Sequence, residues 1–234
     1  MTCRSNAAAF YRAVHGGFRR MCLFALVLGA PLLAQETPQT MTKIVVRLEA
    51  PDVPPDGFAA KPKTMYRAGV GYCRIEELPD EKNDIHGLMI INEPDTWMVN
   101  LFTKTAQHML DPGPTFNCRM PIFVFGEEVK SGQDLKKPMM SLEFGRELAY
   151  FEAREARATE GPVLQGKSTT AYATKVGDSQ LFLFTVDAPE HPWAIMRQRG
   201  DAREMYWYTT YEQLPFDSKL FDKPTDVKIG EAKP

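Results

Sequence analysis

The sequence lacks the short motifs that identify most enzymes and metal proteins. It contains no HExxH or CxxC pattern, no glycine-rich phosphate loop and no serine flanked by the glycines of a nucleophile elbow. His86, His108 and His191 follow residue 34, and none stands at metal-ligand spacing from another. We therefore predict no catalytic residue, no metal ligand and no cofactor; a metal-dependent hydrolase built on His86, His108 and an acid is the weakest alternative.

The chain also has few long apolar runs. The run over residues 21–33 has about 13 apolar residues, whereas a membrane-spanning helix needs roughly 20. Four arginines and no acidic residue precede it, and it ends at Ala34 before a polar stretch. This pattern predicts a secretory signal peptide over residues 1–34, with a retained membrane anchor as the alternative. We expect the mature chain, residues 35–234, to be exported to the periplasm or the extracellular space without a transmembrane segment.

An excess of basic residues is missing as well. The full chain has 28 basic and 30 acidic residues, and four of the basic ones lie in the leader. The mature chain is therefore acidic, which argues against nucleic acid as a partner. Its length of about 200 residues suits a single domain, and no repeat or linker divides it.

Cysteine is scarce: only Cys73 and Cys118 follow the leader. In an oxidising compartment an even pair is best interpreted as a disulfide, and two buried thiols are the alternative.

The remaining pattern is mostly that of β-strands. Residues 42–49 alternate, with Thr42, Ile44, Val46 and Leu48 on one face. Turn residues at 93–96 join two apolar runs, which predicts a hairpin. The predicted strands cover 42–49, 66–77, 85–92, 96–102, 169–176, 180–186, 193–198 and 203–211, and a short apolar run occupies 121–125.

One helix is predicted, capped by Ser141 and ended by Gly161-Pro162. Phe144, Leu148 and Phe151 form its buried stripe. The fold class is therefore α+β, an antiparallel sheet packed with one main helix.

Several strands are apolar on both faces, and one helix can cover only one face. The sheet must then curl on itself or keep a hollow for an apolar guest. Ten methionines in the mature chain suit either such a hollow or ordinary core filling. The candidate lining residues are Trp97, Val99, Leu101, Phe182, Phe184, Trp207 and Tyr211.

The strand 66–76, which contains Arg74-Ile75-Glu76, the hairpin 89–101 around Asp95-Thr96-Trp97, and the ending 208–227 resemble the periplasmic outer-membrane lipoprotein-carrier (LolA/LolB-like) superfamily. The resemblance spans about residues 41–230. It implies a half-barrel that binds acyl chains or another hydrophobic guest between sheet and helix, in envelope lipid or lipoprotein handling. It also implies a cavity arginine, for which Arg47 and Arg74 are the candidates. The carriers begin with an amphipathic helix, whereas only residues 35–41 precede the first strand here, so general hydrophobic-ligand binding is the prediction.

A second hypothesis is a structural or partner-binding envelope protein. Such a protein would fill its own core and would bind another envelope protein through an exposed aromatic edge near Tyr206 and Tyr208.

Overall fold

A computed structural model of the chain describes residues 37–110, 118, 142–188 and 191–231. The predicted signal peptide, the apolar run 121–125 and the predicted cap Ser141 lie outside the described residues. Within these residues, no helix is long and apolar enough to cross a membrane.

The described residues form one twelve-stranded sheet. Its spatial order is β12-β6-β5-β4-β3-β2-β1-β11-β10-β9-β8-β7, and neighbours are antiparallel except for the parallel pair β12 and β6. The α+β half-barrel prediction is confirmed. The strands are β1 Thr40–Glu49, β2 Lys63–Ala68, β3 Tyr72–Glu77, β4 Gly87–Asn92, β5 Asp95–Asn100, β6 Thr105–Leu110, β7 Thr159–Glu160, β8 Thr170–Val176, β9 Ser179–Thr185, β10 Pro192–Arg199, β11 Ala202–Pro215 and β12 Lys228–Glu231.

The sequence predicted most of these strands to within a few residues. The prediction of a single strand over 66–77 was wrong. This run divides into β2 and β3, which pair as a hairpin around Gly69-Val70-Gly71. Gly69 has a φ of 55°, which a glycine adopts without strain. The predicted hairpin of β4 and β5 is confirmed, although Asn92 pairs with Asp95, so that Pro94 occupies the third position of the turn rather than the second.

The helix α1 spans Glu147–Glu152 and is shorter than predicted. Gly145 has a φ of 78° and Arg146 a φ of −139°, so the backbone cannot be helical before Glu147. The helix also ends well before Gly161. Phe144 precedes the helix, but its side chain is fully buried, as is that of Phe151. The predicted residues are thus buried, although only some of them belong to the helix.

The face of the sheet that packs against α1 is called the inner face. Its core, the inner cluster, combines the predicted face of β1 with apolar residues from most other strands and from the segment around α1. Its buried members are Ile44, Val46, Met65, Cys73, Ile91, Cys118, Leu142, Phe144, Tyr150, Phe151, Tyr172, Leu181, Leu183, Ile195, Tyr206 and Tyr208. Tyr206 and Tyr208 are thus buried, and the prediction that they form an exposed aromatic edge is wrong.

The opposite, outer face is covered without the helix. On β2 to β6, Trp97, Val99 and their neighbours pack against Phe216, Leu220 and Phe221 of the segment after β11. On β8 to β11, Phe184 and Ala194 form a second outer cluster with Leu164. The expectation that only the helix could shield the sheet overlooked this C-terminal segment.

Cys73 of β3 is joined to Cys118 by a disulfide, with 5.7 Å between their Cα atoms. Both cysteines belong to the inner cluster, and the Phe144 amide donates a hydrogen bond to the Cys118 carbonyl. The disulfide therefore ties the segment before α1 to the sheet.

Candidate functional site

Two neighbouring hollows on the inner face are lined by described residues, and the larger of these two has a volume of about 520 Å³ and lies over β3 to β6. Its floor is apolar at Ile75, Met89 and Met98, and Met98 is half exposed. The complete lining is Ile75, Glu77, Gly87, Leu88, Met89, Met98, Val99, Asn100, Thr105, Ala106 and Gln107.

Strand register explains why this hollow is apolar in the middle and polar at one end. Residues paired across antiparallel strands share a face. One row of pairs therefore runs through Met65, Ile75, Met89, Met98 and Gln107. The next row toward the strand ends contains Lys63, Glu77, Gly87, Asn100 and Thr105. The hollow thus has the amphipathic surface that a ligand with one apolar and one polar end requires.

The absence of a side chain at Gly87 leaves room for the Glu77 carboxylate. A Cβ on residue 87 would stand 2.5 Å from Glu77 Oε2, which is closer than nonbonded atoms approach. The missing side chain therefore lets the carboxylate lie over β4 at the polar end of the hollow.

A smaller hollow of about 210 Å³ lies beside it over β1 to β3, and Glu77 lines both. Lys63 Nζ stands 3.9 Å from Glu77 Oε1, so a loose ion pair marks the boundary. Burial lowers the pKa of Lys63, and the nearby Glu77 only partly opposes this effect. The lining is Val46, Leu48, Phe58, Ala59, Lys61, Lys63, Glu77, Phe144 and Tyr206.

The buried arginine of the inner face is Arg67, and not Arg47 or Arg74. Arg47 and Arg74 pair with Trp207 and Ile90, residues of the outer face, and both are partly exposed. Arg67 Nη2 lies 2.6 Å from Glu143 Oε2, and both side chains are almost fully buried. Arg67 also donates a hydrogen bond to the Phe144 carbonyl over 2.8 Å.

Glu147 is a second buried carboxylate in the same region. Its Oε1 accepts hydrogen bonds from the Tyr208 hydroxyl and the Gly145 amide, each over 2.8 Å. Burial raises the pKa of Glu147, and burial together with this carboxylate raises the pKa of Tyr208. These contacts hold residues 143–147 on the sheet, so their role is structural.

The seven residues predicted to line a cavity are not brought together. Trp97, Val99 and Leu101 lie in the first outer cluster, and Val99 also borders the larger hollow. Tyr211 packs against the inner cluster and lines a separate cavity of about 140 Å³. The remaining three belong to the second outer cluster: Phe182, Phe184 and Trp207.

Each of the three histidines that the structure describes has its own separate partner. His108 Nε2 lies 2.6 Å from Asp95 Oδ1, and the His108 ring stacks on Trp97. His86 Nε2 is 3.6 Å from Glu76 Oε1. His191 is exposed and contacts the Tyr211 carbonyl. Within the part of the chain that the structure describes, no group of histidine, cysteine and acidic residues could hold a metal ion.

Sequence reasoning missed the residues that form the larger hollow. Met89 and Met98 alternate with Ile90 and Trp97 along β4 and β5, so the two faces could be separated from the sequence. Nothing in the sequence, however, showed that the methionine face was the inner one. Glu77 ends the predicted strand 66–77, and only the pairing of β3 with β4 places it over Gly87.

No protein-family model matches the chain, and no curated protein sequence matches it significantly. Solved structures do match. An uncharacterised conserved protein from Thermus thermophilus aligns over 83% of this chain and 91% of its own, with 10% identity and a TM-score of 0.49. MucB in the MucA/MucB complex of Pseudomonas aeruginosa aligns over 82% and 59%, with 9% identity and a TM-score of 0.42.

A LolA superfamily protein from Nitrosomonas europaea aligns over 81% of this chain and 92% of its own, with 9% identity and a TM-score of 0.35. The solved structures that match the chain thus include a member of the family that its sequence resembles.

Proposed function

We propose that this chain is an exported, non-catalytic protein that binds a lipid or another hydrophobic ligand in the larger hollow of its inner face. The observation that carries the proposal is the hollow itself. Its volume of about 520 Å³ falls in the range of small-molecule sites, and its floor consists of one isoleucine and two flexible methionine side chains.

The chemistry of the floor favours an apolar guest. Met98 is about 50% exposed although it lies on the face that elsewhere forms the core. Covering such a side chain with an acyl chain removes apolar surface from water, worth about 25 cal/mol per Å². Methionine also adapts its shape to guests of different outline. A role in envelope lipid or lipoprotein handling follows if the ligand is an acyl chain.

The seven side chains predicted from the sequence take a smaller part in this proposal. Val99 borders the hollow. A ligand contact by the other six, among them Trp97 and Phe184, stays a prediction from the sequence.

The test is extraction of the purified exported protein with organic solvent, followed by mass spectrometry of the extract. We expect an amphiphile in stoichiometric amount, and uptake of a fluorescent fatty acid after it is stripped. Met98→Trp fills part of the hollow and should weaken that uptake by about tenfold, or about 1.4 kcal/mol.

Val163→Trp is the matched control. Val163 is exposed and does not line the larger hollow, so this variant should bind as the parent protein does. A protein that carries no amphiphile, takes up no fatty acid and instead retains a stoichiometric protein partner would overturn the proposal.

A further inference from the structure

The polar end of the ligand can also be inferred, on the condition that the proposed function holds. Within the described lining of the larger hollow, Glu77 is the only charged residue. A hollow with an apolar floor and one negative charge is complementary to an amphiphile whose head is positive.

The other polar side chains at that end are already engaged. The Asn100 amide donates to the Asp84 carbonyl over 2.9 Å, and its oxygen accepts from the Phe102 amide over 3.0 Å. The Thr105 hydroxyl lies 2.7 Å from that of Thr103. They therefore offer little to an incoming head group.

The Glu77 carboxylate is engaged on one side only. Its Oε1 has the loose contact with Lys63, which lines the smaller hollow and not the larger one. Its Oε2 lies over Gly87, where the structure gives it no hydrogen bond from a described residue. About 28% of the side chain is exposed, so a ligand can reach it.

From this geometry we infer that Glu77 is the head-group residue of the site, and that the ligand is an amphiphile with a primary ammonium head. The ammonium donates hydrogen bonds to Glu77 Oε2 while the apolar chain lies along Ile75, Met89 and Met98. Such charge-assisted hydrogen bonds are shorter and stronger than neutral ones. An anionic head at this position would instead meet the carboxylate.

The test measures the affinity of the stripped, exported protein for dodecylammonium, dodecanol and dodecanoate, which share one chain length. We expect dodecylammonium to bind about tenfold more tightly than dodecanoate, a difference typical of one charge-assisted hydrogen bond. Glu77→Gln should weaken dodecylammonium binding by about the same factor and leave dodecanol binding unchanged.

Two further variants separate the effect of the position of the Glu77 carboxylate from the effect of the net charge of the protein. Gly87→Ala keeps the charge of Glu77, but its Cβ displaces the carboxylate, so the preference for the ammonium head should fall as in Glu77→Gln. Glu76→Gln changes the net charge by the same amount on the outer face, where Glu76 contacts Arg74 and His86. This control should keep the preference.

Equal affinities for the three heads, or an equal loss in Glu76→Gln and Glu77→Gln, would overturn the inference and leave the proposed function intact. If dodecanol also fails to bind, the proposed function itself is wrong and the inference fails with it.

Discussion

Individual buried charges of the inner face hold the segment before α1 in place. Arg67 and Glu143 lie 2.6 Å apart and almost without solvent contact, and Glu147 is buried beside Tyr208. Burying a charge is unfavourable unless it is paired and hydrogen-bonded. Arg67 and Glu143 form an ion pair, and Glu147 accepts two hydrogen bonds, yet the pKa of Glu147 is still raised because burial outweighs those hydrogen bonds.

This raised pKa predicts a pH-dependent stability that Glu147→Gln removes. Because the folded protein holds the Glu147 proton more tightly than the unfolded chain, this residue makes the free energy of unfolding fall as the pH rises from about 4.5 through the folded-state pKa. Each unit of raised pKa corresponds to about 1.4 kcal/mol. Glutamine keeps an oxygen for the Tyr208 and Gly145 hydrogen bonds but carries no charge. Relative to the parent, the variant should therefore gain stability with rising pH.

The measurement is urea unfolding of both proteins from pH 4.5 to pH 8. Glu152→Gln, an exposed glutamate in the same helix, serves as the control and should follow the parent protein. Parallel curves for Glu147→Gln and the parent would show that the carboxyl does not change its protonation on folding.

At the scale of an element, the segment after β11 is what closes the outer face. Phe221 is fully buried, its ring lies 5.4 Å from Tyr72 and it stacks on Phe216 at 5.7 Å. Arg74 and Asn92 of the sheet donate hydrogen bonds to the carbonyls of Leu220 and Phe221. The segment is thus attached by both apolar and polar contacts.

Phe221→Ala should therefore destabilise the protein by about 3–5 kcal/mol, the usual effect of removing a buried aromatic ring. Ile229→Ala, at a partly exposed position in β12, should change stability by only about 0.5 kcal/mol. Urea midpoints at unchanged m-value provide the comparison. A loss of similar size in both variants would mean that this segment contributes no more than an ordinary edge strand.

The elements themselves were predictable because their signals are local. Alternation marked β1, and apolar runs between turn residues marked β4, β5 and β8 to β11. The sequence missed β6, β7 and β12, whose local signals are weak: β6 mixes polar with apolar residues, β7 has two residues, and β12 has a single apolar residue beside a glycine. The length of the helix was overestimated. Gly145 stands inside an otherwise continuous apolar period, but its positive φ keeps the backbone from being helical at this position.

The assignment of faces was not predictable, because it depends on contacts between distant parts of the chain. Trp97 and Met98 are adjacent in β5, and the sequence cannot say which one faces the C-terminal segment and which one borders a hollow. The prediction chose the larger aromatic residues, most of which lie on the outer face. Other parts of the same chain cover that face. The proposed site lies where the smaller and more flexible methionines are left partly exposed.

For the whole molecule, export and the disulfide are linked, and one measurement tests both. We expect expression of the full chain in a bacterium to yield a periplasmic protein that lacks residues 1–34 and has Cys73 and Cys118 oxidised, because disulfides persist in that compartment. Intact mass after alkylation without reduction should show a chain beginning at residue 35 with no alkyl group.

Reduction should then destabilise the exported protein. The two cysteines are 45 residues apart, and closing a loop of that size stabilises a fold by about 4 kcal/mol on the chain-entropy model. The double variant Cys73→Ser/Cys118→Ser should therefore unfold at lower urea concentration, with or without reductant, whereas the parent should shift only when reductant is added. Two alkyl groups on the non-reduced parent would exclude the disulfide, and a mass that includes residues 1–34 would exclude the cleaved leader, so each part of the prediction can fail separately.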